Sequence, residues 1–197
     1  MKEHYEWLQT WSDEAERTDL PRVLLVGDSI TGGYQQMVRE ALRGVCLVDY
    51  FCTSYAADTA IYHTALRMFV TDSRYAAVHF NHGLHGKHMT GEVYKENVER
   101  LLEQISGCGA KVIAALTTRV LGKDGDPDLS WEEKIAERNA AIGEIATRCG
   151  YAVNDLYAPS VAMPRENRLD DGFHYKEEGY RVFADKVIAA IRQALGK

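Results

Sequence analysis

Three residue types that together can open an ester stand far apart in this 197-residue chain: Ser29 near one end, Asp171 and His174 near the other. A serine hydroxyl is a poor nucleophile at neutral pH. It needs a base within hydrogen-bond reach, and the base needs a third group to fix its tautomer. Gly27-Asp28-Ser29 follows the apolar run Val23-Leu24-Leu25-Val26 with nothing in between. Such a run ending in glycine predicts a buried parallel strand that stops abruptly. After Gly32-Gly33, helical spacing begins at Tyr34 and runs to Leu42. Ser29 then sits where a strand turns into a helix, the edge at which open α/β sheets hold their ligands. The first amides of that helix favour negative charge at the same spot. The plainer reading of these residues alone is a βα turn with a serine cap. Asp171-Gly172-Phe173-His174 supplies what the plainer reading lacks. An Asp three residues before a His, in a turn, can lie beside Nδ1 and leave Nε2 for a hydroxyl.

A second constellation competes with the first. His79, His82, His85 and His88 recur every third residue, and a histidine cluster can mean a metal site. A strand end running into a loop would scatter these rings, and no carboxylate or thiol stands at familiar ligand spacing beside them. We expect no metal, with His82 or His85 lining the mouth of a cleft. Arg119, after Thr117-Thr118, has two readings: contact with a substrate oxygen, or pairing with the acids of the following loop. Asp28 is too close to Ser29 to orient its base, so its role is structural.

The elements that must position these groups alternate. Strands are expected at 45–50, 75–80, 111–116 and 151–154, besides 23–26. Helical periodicity falls at 60–69, 92–105, 131–148 and 175–195, with a polar loop over Gly122–Pro127. That order implies a parallel sheet of about five strands with helices on both faces. Residues 1–20 form an arm, a short helix or an extended piece, packed on a single domain over 21–197. Its tryptophans, Trp7 and Trp11, could cover an edge, meet a second subunit or floor a cleft. The chain is 46% hydrophobic and 26% charged, an ordinary globular balance, and its length buries roughly 70% of the unfolded surface without a staple. A net charge of −6 argues against nucleic acid as a partner. Cys46, Cys52, Cys108 and Cys149 form no CxxC pair and read as free buried thiols in a reducing cytoplasm. The first residues carry no apolar signal core, and no run is long enough to span a membrane. A trimmed leader would make the protein a secreted one.

Gly27-Asp28-Ser29 and Asp171-x-x-His174, in this order at opposite ends of the chain, resemble the SGNH (GDSL-type) hydrolase family. The resemblance implies a flavodoxin-like three-layer α/β/α sandwich and hydrolysis of an ester through Ser29, His174 and Asp171, with no metal or organic cofactor. It carries an oxyanion-donating side-chain amide to Asn81, although the following residue, usually Asp in the family, is His82 here. The family's glycine after the second strand is missing from Thr53-Ser54-Tyr55-Ala56-Ala57-Asp58-Thr59. Ala57 falls in register and has the required N–H, with Ser54 as the fallback and the Ser29 N–H as the remaining donor.

Polar and aromatic residues expected to face the cleft (Tyr34, Tyr55, His82, His85) and the lack of a long apolar lid favour short acyl groups. Acetyl esters of a carbohydrate or small molecule fit best. Lysophospholipase and thioesterase activities occur in the same family. A carbohydrate-binding or scaffolding protein that has lost the chemistry is the reading from another class.

Overall fold

The computed structural model describes residues 3–197; Met1 and Lys2, the start of the expected arm, lie outside the described residues. Six strands make one sheet in the order β1-β3-β2-β4-β5-β6. Four of them are β2 (Arg22–Gly27), β3 (Leu47–Thr53), β4 (Tyr75–Asn81) and β5 (Lys111–Leu116). With β6 (Ala152–Asp155) they pair in parallel. The helices are α1 (Ser29–Ala41), α2 (Ala60–Asp72), α3 (Gly91–Gly107), α4 (Leu129–Cys149), α5 (Tyr157–Ala162) and α6 (Glu177–Leu195).

Side chains alternate across the sheet, and each face has its own core. Leu24, Val26, Val78 and Phe80 pack with Tyr62 and Leu66 of α2, Leu101 and Leu102 of α3 and Ile142 and Ile145 of α4. On the other face Val23, Leu25, Ile113 and Ala115 meet Ile30, Tyr34 and Val38 of α1 and Phe183, Val187 and Ile191 of α6. The three-layer sandwich is therefore as expected, with one strand more. Helix α1 begins at Ser29 and runs through Gly32-Gly33, ahead of the helical spacing that starts at Tyr34. A Cβ on Gly33 would stand 2.1 Å from the Tyr180 ring, so glycine there lets α1 and α6 lie against each other.

The added strand, β1 (Leu8–Trp11), corrects the helical form expected for the arm. It pairs antiparallel with β3, Leu8 opposite Thr53 and Trp11 opposite Tyr50. The outer edge of β3 would otherwise leave a row of backbone donors and acceptors unmet. Thr53 Oγ1 donates to the Trp7 carbonyl at 2.7 Å, and the Trp7 N–H to Ser54 Oγ at 2.8 Å, fixing the register. Trp11 remains half exposed beneath the Arg39 guanidinium, 5.3 Å from its ring centre. Cys46 and Cys52 are buried, whereas Cys108 and Cys149 are exposed, against the expectation for all four. Among the described residues no helix is long and apolar enough to cross a membrane.

Candidate active site

Ser29 is the first residue of α1, at the carboxyl edge of β2. Its neighbour Asp28 is fully buried and caps the helix: Oδ1 accepts from the Ile30 N–H at 3.0 Å. Oδ2 accepts from the Gly83 and Leu84 N–H groups, each at 3.3 Å. One carboxylate thus starts the helix and holds the loop after β4 beside Ser29.

The far end of the chain arrives at the same place. Ser29 Oγ donates to His174 Nε2 at 2.7 Å, and His174 Nδ1 donates to Asp171 Oδ2 at 2.6 Å. Asp171 Oδ1 accepts from the backbone N–H groups of Phe173 and His174, both at 2.8 Å. Burial alone would raise the Asp171 carboxyl, but the bonds from His174 and Phe173 outweigh it and hold the group below its ordinary value of 3.8. The turn is fixed from outside. Gly172 has φ +79° and lies so close to the Leu121 carbonyl oxygen that a Cβ would stand 1.9 Å from it. The Leu121 N–H donates to the Gly172 carbonyl at 3.0 Å, and Phe173 packs edge-on against Trp131. Arg168 stacks over Tyr175, with its guanidinium donating to the carbonyls of Ser160 and Arg119. These are the three residues the sequence singled out for nucleophile, base and orienting acid, and they stand in one hydrogen-bonded line.

The loop after β3 supplies a second wall. Ala57 is buried, has no left-handed φ that would call for glycine, and its N–H meets no acceptor among the described residues. Its carbonyl accepts from His63 Nε2 at 2.7 Å, which anchors the loop to α2. Ser54, the fallback donor, is occupied: its N–H donates to the Trp7 carbonyl at 3.1 Å. The loops after β3 and β4 touch, since a Cβ on Gly86 would stand 2.8 Å from that of Ala56.

Four expected positions differ. Asn81 is 1% exposed, with Nδ2 donating to Tyr34 Oη at 3.3 Å instead of facing outward. Tyr34, expected at the cleft, is fully buried under α1 because its ring fills the core against Val38 and its hydroxyl has Thr31 and Asn81 as partners. His82 is buried against Tyr62, neither ring nitrogen has a partner among the described residues, and burial lowers its pKa to about 4, leaving it neutral. It does not line a mouth. Arg119 pairs with Glu132 of α4 at 3.0 Å, and its carbonyl is a partner of Arg168. Its acid comes from the helix rather than from the loop.

His85 is part-buried in this region, and it has a partner the sequence did not disclose. Nδ1 donates to Glu3 Oε2 at 2.7 Å, while Glu3 Oε1 accepts from the Gly86 N–H at 2.7 Å. Three of the four histidines take separate partners: besides His85 with Glu3, Asn154 Nδ2 donates to His79 Nε2, and His88 pairs with Asp58. Sequence reasoning also missed Arg138. It donates from α4 to the carbonyls of Gly83, His85 and Gly86 at 2.7–2.9 Å, and its guanidinium lies over Tyr94 and Trp131. The signal was available, for Arg138 lies on the face of α4 that buries Trp131, Ile135, Ile142 and Ile145.

No protein-family model and no curated protein matches the sequence. Solved structures do match the fold. A lipase/acylhydrolase from Enterococcus faecalis superposes with TM-score 0.71 at 19% identity, over 88% of this chain and 96% of that one. A GDSL-like lipase from Bacteroides thetaiotaomicron gives 0.71 at 19% identity over 88% of both chains. An acetyl xylan esterase gives 0.68 at 21% identity, over 86% of this chain and 99% of that one. The chain has the SGNH hydrolase fold.

Proposed function

We propose that this protein is a serine ester hydrolase acting on short-chain carboxylic esters, with O-acetyl groups of a carbohydrate or small molecule as the substrate class. The observation that carries the reading is the line Ser29 Oγ, His174 Nε2, His174 Nδ1, Asp171 Oδ2 at 2.7 and 2.6 Å. His174 takes the Ser29 proton as Oγ bonds to the acyl carbon, and Asp171 stabilises the imidazolium that forms. The carbonyl oxygen becomes an oxyanion at the start of α1, with the N–H groups of Ser29 and Ala57 and the amide of Asn81 as its donors. His174 then gives its proton to the leaving alcohol. Water, deprotonated by the same imidazole, releases the acid and restores the serine. These steps use no cofactor.

The choice of short acyl groups rests on the absence of a long apolar lid segment and on the likeness to an acetyl xylan esterase. The test is hydrolysis of p-nitrophenyl esters from acetate to palmitate by wild type and Ser29→Ala. We expect turnover that falls steeply beyond butyrate and drops about a millionfold in Ser29→Ala. A preference for long chains would turn the reading towards lysophospholipids or thioesters. Full activity in a folded Ser29→Ala would end it, and sugar binding with no ester turnover would favour a binding protein.

A further inference from the structure

Asn81 is the one proposed donor whose observed setting does not suit its role. An oxyanion needs an N–H, yet Nδ2 points inward to Tyr34 Oη at 3.3 Å. Oδ1 accepts nothing among the described residues, so it is the end of the amide without a partner. The residue is well placed all the same. It lies opposite Gly27 in the β2–β4 register, two positions before Ser29. A Cβ on Gly27 would stand 2.0 Å from Thr31 Oγ1 and 2.4 Å from the Asn81 carbonyl oxygen, so these groups crowd directly behind the nucleophile's turn.

Resting on the esterase reading, we propose that Tyr34 and Thr31 are positioning residues that aim the Asn81 amide through a hydrogen-bond chain able to run in either direction. As seen, Asn81 Nδ2 donates to Tyr34 Oη at 3.3 Å, the Tyr34 hydroxyl donates to Thr31 Oγ1 at 3.0 Å, and the Thr31 hydroxyl donates to the Asn81 carbonyl at 3.5 Å. A half-turn of the amide about its last side-chain bond reverses the order. Thr31 then donates to Tyr34 Oη, Tyr34 donates to Asn81 Oδ1, and Nδ2 takes the outward place to meet the oxyanion. No proton changes owner; two hydroxyl hydrogens and one amide rotate. Both bonds between the three side chains survive, and only the longest contact, to the Asn81 carbonyl, is given up. Such a reversal is available because a hydroxyl can donate or accept, and bonds in a chain orient one another. Burial drives the Tyr34 hydroxyl well above its ordinary pKa, so it keeps the hydrogen that the reversed setting needs.

The experiment is a double-mutant cycle on Tyr34→Phe and Asn81→Ala, with Thr31→Val as a third variant. Its readouts are kcat and KM for p-nitrophenyl acetate and the rate of inactivation by a fluorophosphonate. Asn81→Ala should lower kcat about a hundred- to a thousandfold. Tyr34→Phe should lower kcat about tenfold, with KM unchanged and an equal loss in inactivation rate. In the Asn81→Ala background it should cost nothing more, because a residue that acts through Asn81 has nothing left to aim. A purely structural tyrosine would cost the same factor in both backgrounds. That result, or wild-type kcat in Tyr34→Phe, would overturn the inference. If Tyr34→Phe does not fold, Thr31→Val enters the same cycle with the same expectation at a few-fold. A dead Ser29→Ala beside an unaffected Tyr34→Phe refutes only the positioning role. An active Ser29→Ala, or a wild type inert to both reagents, refutes the esterase reading and this inference with it.

Discussion

Replacing Arg138 with methionine removes a buried cation that no carboxylate among the described residues pairs. Its guanidinium makes three bonds to carbonyls of the loop after β4, at 2.7, 2.9 and 2.7 Å. Each charge-assisted bond contributes about 1.5–3 kcal/mol, so the gross loss is about 5–9 kcal/mol. Burial of the guanidinium works against it and lowers the Arg138 pKa. Relief of that penalty returns several kcal/mol, and methionine keeps part of the packing on Tyr94 and Trp131. The net loss should be about 3 kcal/mol, or about 6–12 °C in Tm for a chain of this size. Lysine, which keeps the charge but not the fork, should lose about half as much. The same loop gives two N–H groups to Asp28 beside Ser29, so kcat should fall about tenfold in Arg138→Met. Urea unfolding of the three proteins, read with their ester turnover, checks both. A methionine variant within about 0.5 kcal/mol of wild type, or one that is destabilised yet fully active, would refute the reasoning.

Two further predictions concern pH. His79 and His82 are buried and neutral, with pKa values lowered by burial to about 3 and about 4 from 6.5. The unfolded chain binds more protons than the folded one over that interval, so stability should fall as pH drops below 6.5. Each histidine should cost about 2–3 kcal/mol by pH 4.5. Unfolding free energies that stay flat from pH 7 to 5 would contradict this, and His82→Phe should remove its share. The Glu3–His85 clasp behaves differently. Burial opposes the charged form of both groups but is outweighed by their mutual hydrogen bond, and for Glu3 also by the Gly86 N–H. The raised His85 contributes stability fully below 6.5 and loses it as pH rises through its folded value. The lowered Glu3 contributes above 4.5 and loses it as pH falls. Protection of the amides over residues 5–11, taken relative to their intrinsic exchange rates at each pH, should therefore be highest between those values and fall towards pH 9, and Glu3→Gln should abolish the difference.

Ser29, Asp171 and His174 were legible because each pairs a chemical type with a local pattern: a strand end, and a turn with fixed spacing. The central strands were legible as apolar runs. β1 was not, since all four of its side chains are exposed and its pairing follows from the unmet edge of β3. The six-residue α5, with Pro159 inside it, carries too few turns for a period to register. Side-chain direction was the main loss. Tyr34, His82 and Asn81 stand at the right end of the sheet but turn into it, and Arg119 takes its acid from a helix that is near only after folding.

The distribution of the thiols has a practical side. Cys108 follows α3 and Cys149 closes α4, just before the chain re-enters the sheet at β5 and β6. Both are exposed, and both lie at the opposite end of the strands from Ser29, about 20 Å away for a six-residue strand. Cys46 and Cys52 are shut in, and burial pushes the Cys46 thiol up to about 11. A maleimide dye or a thiol-reactive support should therefore attach at Cys108 and Cys149 alone. The immobilised protein would present its Ser29 face to the solution, ready for assay on polymeric esters.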